Sequence, residues 1–284
     1  MTISFSDFLD SRGLVIFPGG TGTELQRRGY KTDLPLWSAK ANEDGFDLLT
    51  EIHTDYFKAG ADLCVTNTFR TTKRSYAKVD RPESDAKRAL SEAVRSARLA
   101  QKEVAERPTF VLGSMAPLED CYTPEDVPSV SELEDEHGLL ANWLKEEGVD
   151  VILAETINAA EEAKYMAKAA SQTGLPFMIT FVVDEKGCLL DGSTIEEAVN
   201  ATDFPGRIAV GLNCRPIHVL DAALPHLQAI YTGPIFLYPN GFGEPHDDLG
   251  WCFHENEDTM ENFLGYAQKW YDSGVKIIGG CCGT

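Results

Sequence analysis

Eight short apolar runs alternate with segments of helical period along 284 residues, and no linker divides them. This predicts an α/β protein of the (β/α)8 TIM-barrel class. Such a barrel takes about 250 residues as one domain, so residues 1–284 are assigned to a single barrel domain and not to two smaller folds. Hydrophobic residues make up 43% of the chain, enough for a real core, and no low-complexity tract or repeat beyond the βα alternation interrupts it.

The runs fall at 14–17, 62–66, 109–113, 150–154, 177–183, 208–212, 234–238 and 275–279. They are rich in β-branched and aliphatic residues and nearly continuous, as parallel strands buried on both faces should be. Between them Ala86, Ala89, Leu90, Ala93, Val94, Ala97 and Ala100 form one i, i+3, i+4 stripe, and Leu48, Ile52 and Tyr56 form another. Further helices are expected at about 131–147, 159–172, 194–201, 217–230 and 257–272. The pairs Ala59-Gly60, Glu147-Gly148, Thr173-Gly174 and Ser273-Gly274 fall just before strands, where a helix C-cap belongs. The acidic stretch 131–136 reads as a solvated helix start. Gly283-Thr284 comes directly after the last run, so the last helix of the pattern is expected to be missing.

Lys plus Arg total 25 against 45 Asp plus Glu, a net charge of −20 that repels phosphate backbones and anionic lipid, so no nucleic-acid or membrane partner is expected. No stretch approaches about 18 uninterrupted apolar residues, and Met1 to Asp7 lacks the basic flank and apolar run of a signal peptide. A cytoplasmic protein is expected. Its partners are then small molecules, and a homo-oligomer is compatible with the residues. The seven cysteines are odd in number, two are adjacent, and the chain is too large to need stapling, all of which argues against a disulfide framework.

In this architecture chemistry sits at the carboxyl ends of the strands. The first run opens into Pro18-Gly-Gly-Thr-Gly-Thr23, the second into Asn67-Thr68, the third into Ser114 and the fourth into Glu155-Thr156. The sixth ends at Asn213-Cys214, the seventh at Tyr238-Pro-Asn240 and the eighth at Gly279-Gly-Cys-Cys-Gly-Thr284. Three cysteines thus share one face of the barrel. Adjacent side chains on a strand point apart, so Cys281 and Cys282 converge only if the backbone turns, which Gly279, Gly280 and Gly283 permit. With Cys214 they supply three thiolates, a set that suits Zn²⁺ with one position left open. The competing reading, small buried apolar residues, does not explain a Gly-flanked pair at a barrel mouth.

An open site on a zinc-thiolate centre takes a substrate thiol, and three sulfur donors keep that sulfur nucleophilic, which favours alkylation of a thiol. Hydrolytic zinc prefers His and carboxylate ligands; no histidine follows a strand in the expected place and no H-E-x-x-H occurs. Gly19-Gly-Thr-Gly22 lacks both G-x-G-x-x-G and the Walker lysine, so Gly19, Gly20 and Thr21 read as a loop that offers N–H groups to a substrate carboxylate. Trp37, Phe69, Tyr122 and Trp251 near the loop tops are candidates for caging a sulfonium or quaternary ammonium, or for packing. Cys64, Cys121, Cys188 and Cys252 are left as core or incidental thiols.

The Asn213-Cys214 and Gly279-Gly-Cys-Cys-Gly-Thr284 motifs resemble those of the homocysteine S-methyltransferase family. The likeness runs along almost the whole chain, through Gly19-Gly-Thr-Gly-Thr-Glu-Leu25, Leu36-Trp-Ser-Ala39, His53-Thr-Asp-Tyr56, Ala59-Gly-Ala-Asp62, Thr66-Asn-Thr-Phe69, Ala154-Glu-Thr156 and Tyr238-Pro-Asn240. The resemblance implies that Cys214, Cys281 and Cys282 bind zinc, that homocysteine or a related thiol joins as fourth ligand, and that the methyl group arrives by direct displacement. It also implies that Glu155 pairs with the substrate ammonium, and it makes Asn67, Asn213 and Asn240 substrate-binding candidates.

The sequence departs from the family at Pro18, where an Asp is usual, at Ser114-Met-Ala-Pro117 and at Asn240-Gly-Phe242. One anionic partner of the substrate ammonium is therefore absent from its usual place. With no folate or cobalamin module in the chain, a free donor such as S-methylmethionine, S-adenosylmethionine or a betaine is expected. The alternatives are a subunit that needs a separate corrinoid or folate protein, and a zinc- or thiol-binding relative without turnover.

Overall fold

The computed structural model describes residues 3–104, 106–246, 248–254 and 260–284. Its strands are β1 (Val15–Ile16), β2 (Leu63–Val65), β3 (Phe110–Met115), β4 (Val151–Ile157), β5 (Phe177–Phe181), β6 (Arg207–Pro216), β7 (Ile235–Asn240) and β10 (Ile277–Ile278), with a small hairpin β8 (Glu244–His246) and β9 (Gly250–Cys252) between the last two. The eight barrel strands pair in parallel in the order β1-β10-β7-β6-β5-β4-β3-β2. Asp62 joins the two ends: its N–H donates to the Ile16 carbonyl at 2.9 Å and its carboxylate accepts the Ile16 N–H at 2.9 Å. The (β/α)8 barrel is thus present.

Alternate strand residues meet in the lumen, where Val15, Phe17, Leu63, Leu112, Leu153, Met178, Phe236, Tyr238 and Ile277 pack together. The other face of the sheet packs against the helices, including the stripe from Ala86 to Ala100 on helix Glu83–Lys102. A run buried on both faces is what the near-continuous apolar strands require. Helix Ile217–Ile230 lies where the sequence places it, and Thr194 caps helix Ile195–Ala201 through a capping box with Glu197. The acidic start of helix Val130–Glu146 is capped by Ser129 and mostly solvated, except that Glu136 is buried against Arg74.

Several elements differ from the sequence reading. On helix Phe46–Lys58 the fully buried face is Leu49, Ile52, His53 and Phe57. Leu48 and Tyr56 are only partly buried, because they meet Leu25 and Ala41 outside the barrel wall. The first part of the helix expected at 257–272 lies outside the described residues, which show it as Met260–Asp272. Helix Phe5–Ser11 is absent from the sequence reading; it closes the floor of the barrel, with Phe5 and Phe8 each 5.0 Å from the Phe110 ring. Among the described residues no helix follows β10, and Ile16, 39% exposed, borders an apolar groove there with Phe242, Leu264 and Tyr271.

Asp62 is 2% exposed and also takes Arg12 at 2.9 Å and Arg107 at 3.1 Å. Both guanidinium groups reach solvent, so their loss of a partner costs little, whereas the Ile16 N–H would be left unpaired inside the seam. Asp62→Ala is therefore expected to destabilise the fold by about 2–3 kcal/mol, read as a lower urea midpoint. An unchanged midpoint would show that the seam does not depend on this carboxylate.

Candidate metal and substrate site

The carboxyl ends of the strands surround a cavity of about 560 Å³. Hairpin β8–β9 forms part of its wall through Pro245, His246, Gly250 and Trp251. Gln26 holds this hairpin by donating to the Leu249 carbonyl at 3.1 Å.

Cys214, Cys281 and Cys282 all line this cavity, and their Sγ atoms lie within 4.8 Å of one another. Tetrahedral thiolates around Zn²⁺, each about 2.3 Å from the ion, would stand about 3.8 Å apart, so the set needs only a small contraction. Cys214 sits where the β6–β7 register shifts, between Asn213 and Pro216, and it has φ +56. The irregularity turns its sulfur into the mouth, as bulges beside sites commonly do. The C-terminal pair is turned by backbone bonds: Gly280 N–H to the Pro18 carbonyl at 3.1 Å, Cys281 N–H to Pro239 at 2.7 Å and Gly241 N–H to Cys282 at 2.8 Å. Gly283 has φ +76, and a Cβ there would stand 2.2 Å from the Phe242 carbonyl oxygen. Gly20 is required for a different reason: its Cβ would lie 2.5 Å from the Cys281 carbonyl oxygen.

A hydrogen bond with Cys281, together with burial, keeps the Cys214 thiol well above its ordinary pKa, and the bond with Cys214 does the same for Cys282. Three such thiols ionise together only beside a cation. The donor set therefore fits a soft divalent metal. Tyr122 reaches this cluster, its hydroxyl 3.1 Å from the Cys214 carbonyl oxygen and 3.0 Å from its Sγ.

Glu155, at the end of β4, is buried and lines the cavity. It accepts from Ser114 Oγ at 2.5 Å and from the Tyr238 hydroxyl at 3.0 Å, and the Tyr238 hydroxyl also meets Thr180 Oγ1 at 2.8 Å. Burial pushes its pKa up from 4.5 to about 7 against the pull of those two donors. Gly19, Gly20 and Thr21 line the cavity at the start of helix Thr21–Arg27, which has no side-chain cap. Asn67 lines it too, although its carboxamide nitrogen is held by the Ser38 carbonyl and Asn42 Oδ1.

Asn213 and Asn240 stand elsewhere. Asn213 is fully buried behind the cavity and donates to Thr156 Oγ1 at 2.8 Å, steadying a residue whose own φ is +63 at the β4–β5 register shift. Asn240 borders the neighbouring groove. Cys121, read as a core or incidental thiol, is buried and lines the cavity, and so do Trp37, Phe69, Tyr122 and Trp251. Sequence reasoning missed Arg70 and Asp120, which face the cavity from neighbouring loops and pair at 3.2 Å. Among the described residues the two carboxylates lining the cavity are Glu155 and Asp120. Pro18 contributes a carbonyl to the cysteine turn and no charge.

The model of the homocysteine S-methyltransferase family matches residues 15–284. The homocysteine S-methyltransferase of Escherichia coli K12 is 29% identical over 291 residues, covering 97% of this chain and 93% of its own. The homocysteine S-methyltransferase YbgG of Bacillus subtilis 168 is 30% identical over 292 residues, covering 97% and 92%. The metallated crystal structure of the homocysteine methyltransferase MmuM from Escherichia coli superposes with a TM-score of 0.83 at 27% identity, over 98% of this chain and 94% of that one. A barrel with converging thiols at its mouth and relatives matched over nearly their whole length leave one assignment: the chain is a methyltransferase and belongs to the homocysteine S-methyltransferase family.

Proposed function

We propose that the protein transfers a methyl group from a small onium donor to the thiol of homocysteine or a close relative, with Zn²⁺ held by Cys214, Cys281 and Cys282. The observation that carries this reading is the meeting of three thiols and a buried carboxylate, Glu155, in one cavity. When bound, the metal supplies a positive charge that lets the acceptor thiol ionise at neutral pH.

The chain's own residues do the rest. Glu155, held by Ser114 and Tyr238, pairs with the acceptor ammonium, while the N–H groups of Gly19, Gly20 and Thr21 take its carboxylate. Asn67 fixes the loop beside them. Asn213 holds the β4 end through Thr156, and Asn240 precedes Gly241, whose N–H donates to the Cys282 carbonyl. The thiolate lone pair forms the new S–CH₃ bond as the donor's C–S or C–N pair returns to its heteroatom, so the leaving group needs no proton. Orientation is then the protein's main contribution.

Purified protein is expected to contain about one zinc per chain and to methylate homocysteine with a free onium donor and no added corrinoid or folate protein. The check is elemental analysis, together with mass spectrometry of products from a panel of S-methylmethionine, S-adenosylmethionine and betaine. Thiol binding with no product from any donor would sink the proposal.

A further inference from the structure

Tyr122 stands on the loop that follows β3, and its hydroxyl lies 3.0 Å from Cys214 Sγ and 3.1 Å from the Cys214 carbonyl oxygen. Both contacts are to one residue, and that residue has little support from its own strand. Cys281 and Cys282 sit in a turn tied by backbone bonds to Pro239 and Gly241. Cys214 instead occupies a gap in the sheet: pairing with β5 ends at Leu212, and pairing with β7 passes from Asn213 to Pro216. It also holds φ +56, a left-handed conformation that a non-glycine residue keeps only where its surroundings impose it. The one side chain that bonds both its peptide carbonyl and its sulfur is Tyr122.

The loop is built to hold that tyrosine still. The Leu118 N–H donates at 2.8 Å to Glu162 Oε1, a buried carboxylate on helix Ala160–Gln172. The same oxygen lies 3.0 Å from Nε2 of His137, which is fully buried on helix Val130–Glu146. Neither Glu162 nor His137 lines the cavity, so this buried pair has no part in substrate binding. Glu119 accepts from Arg74 Nη1 at 3.0 Å, the Asp120 carbonyl accepts Asn158 Nδ2 at 3.1 Å, and Asp120 Oδ1 accepts the Tyr122 N–H at 2.8 Å. A rigid strut therefore runs from the two helices behind the sheet, through residues 118–122, to the sulfur of Cys214.

We infer that Tyr122 is a positioning residue of the metal centre, that its hydroxyl donates to the Cys214 thiolate when metal is bound, and that Glu162 acts on the same sulfur through the loop. A thiolate has no proton, so the tyrosine O–H is the donor in that state. The bond does two things: it fixes a ligand whose backbone leaves it free to turn away, and it withdraws charge from that sulfur. The inference rests on metal binding by the three cysteines, as proposed above, and adds to it what aims the ligand that the sheet does not.

The test adds Zn²⁺ and Co²⁺ to the metal-free full chain, with affinity read by competition against a chromophoric chelator. Tyr122→Phe keeps the ring and removes the hydroxyl alone; it is expected to bind both ions about 10- to 100-fold more weakly. Loss of an O–H donor raises the energy of the thiolate lone pairs, so the sulfur-to-cobalt charge-transfer band should move to longer wavelength. Glu162→Ala is expected to shift affinity and band in the same direction by less, because Asn158 and Arg74 still hold the loop. It should add nothing to Tyr122→Phe in the double variant, since it acts through the tyrosine. Glu162→Gln, which keeps an oxygen for the Leu118 N–H, should return to wild-type values. Wild-type affinity and spectrum in Tyr122→Phe, with any loss confined to the urea midpoint, would make the tyrosine a packing residue and overturn the assignment. An effect of Glu162→Ala that adds in full to that of Tyr122→Phe would overturn the role of the loop. Should Glu162→Ala not fold, Tyr122→Phe decides alone. A wild type that takes up neither ion refutes the metal site itself, a result distinct from both.

Discussion

Cys281→Ala is expected to yield folded protein that holds no stoichiometric zinc and transfers methyl at least about 10³-fold more slowly. The magnitude follows from losing a charge stabilisation of several kcal/mol, at about 1.4 kcal/mol per tenfold in rate. The fold should survive because the turn is held through the backbone of residue 281, its N–H donating to the Pro239 carbonyl and its carbonyl accepting from Thr284 Oγ1, both of which alanine keeps. Two converging thiols would remain, and Cys121, although it lines the same cavity, is not among the sulfurs that lie within 4.8 Å of one another. Elemental analysis, circular dichroism and product mass spectrometry check the three parts of the expectation. Wild-type zinc content and turnover in this variant would remove the thiol trio from the chemistry.

The barrel was legible in the sequence because its signal is local: β3 and β4 open on apolar runs, 110–112 and 151–154, and helix Glu83–Lys102 writes its inward face mostly as alanine, leucine and valine at helical spacing. The cysteines were legible because the position of a residue after a strand fixes which end of the barrel it occupies. What escaped depends on tertiary partners. Helix Phe5–Ser11 has a Ser4 cap whose side chain accepts the Asp7 N–H, the one local signal that could have found it, yet its three buried residues acquire a reason only when the barrel floor is there to receive them. The inward turn of Cys214 comes from a register shift against β7, and no property of residues 213–216 alone specifies it. Asn240, the last residue of β7, lines the groove beside the cavity, a placement that the order of residues after the apolar run does not show by itself. Arg70 and Asp120, 50 residues apart on loops after neighbouring strands, carry no motif; their meeting is a property of strand order.

Glu155→Gln is expected to strengthen the fold while weakening the acceptor site. In the unfolded chain this carboxyl titrates near its ordinary 4.5, whereas burial lifts it to about 7 in the folded protein. Below about 4.5 it is protonated in both states, and its titration favours neither. As pH rises toward about 7 the unfolded state loses the proton first, so the unfolded state binds fewer protons and stability falls across that window; above it the penalty is constant. Glutamine has no proton to lose. Its advantage over the wild type should therefore be absent at the acid end and reach a few kcal/mol above the folded pKa, because each pH unit between the two titrations is worth about 1.4 kcal/mol. Urea unfolding of the two metal-free proteins across the pH range measures it. Function runs the other way, because the acceptor ammonium needs the ionised carboxylate. The wild-type acceptor KM should fall as pH rises through about 7, whereas the variant's should be about 10- to 100-fold higher and flat across the same range. A variant no more stable than wild type above that pH would mean that the carboxylate is already ionised and solvated inside the barrel, and a KM that kept its pH dependence would place the titrating group elsewhere in the cavity.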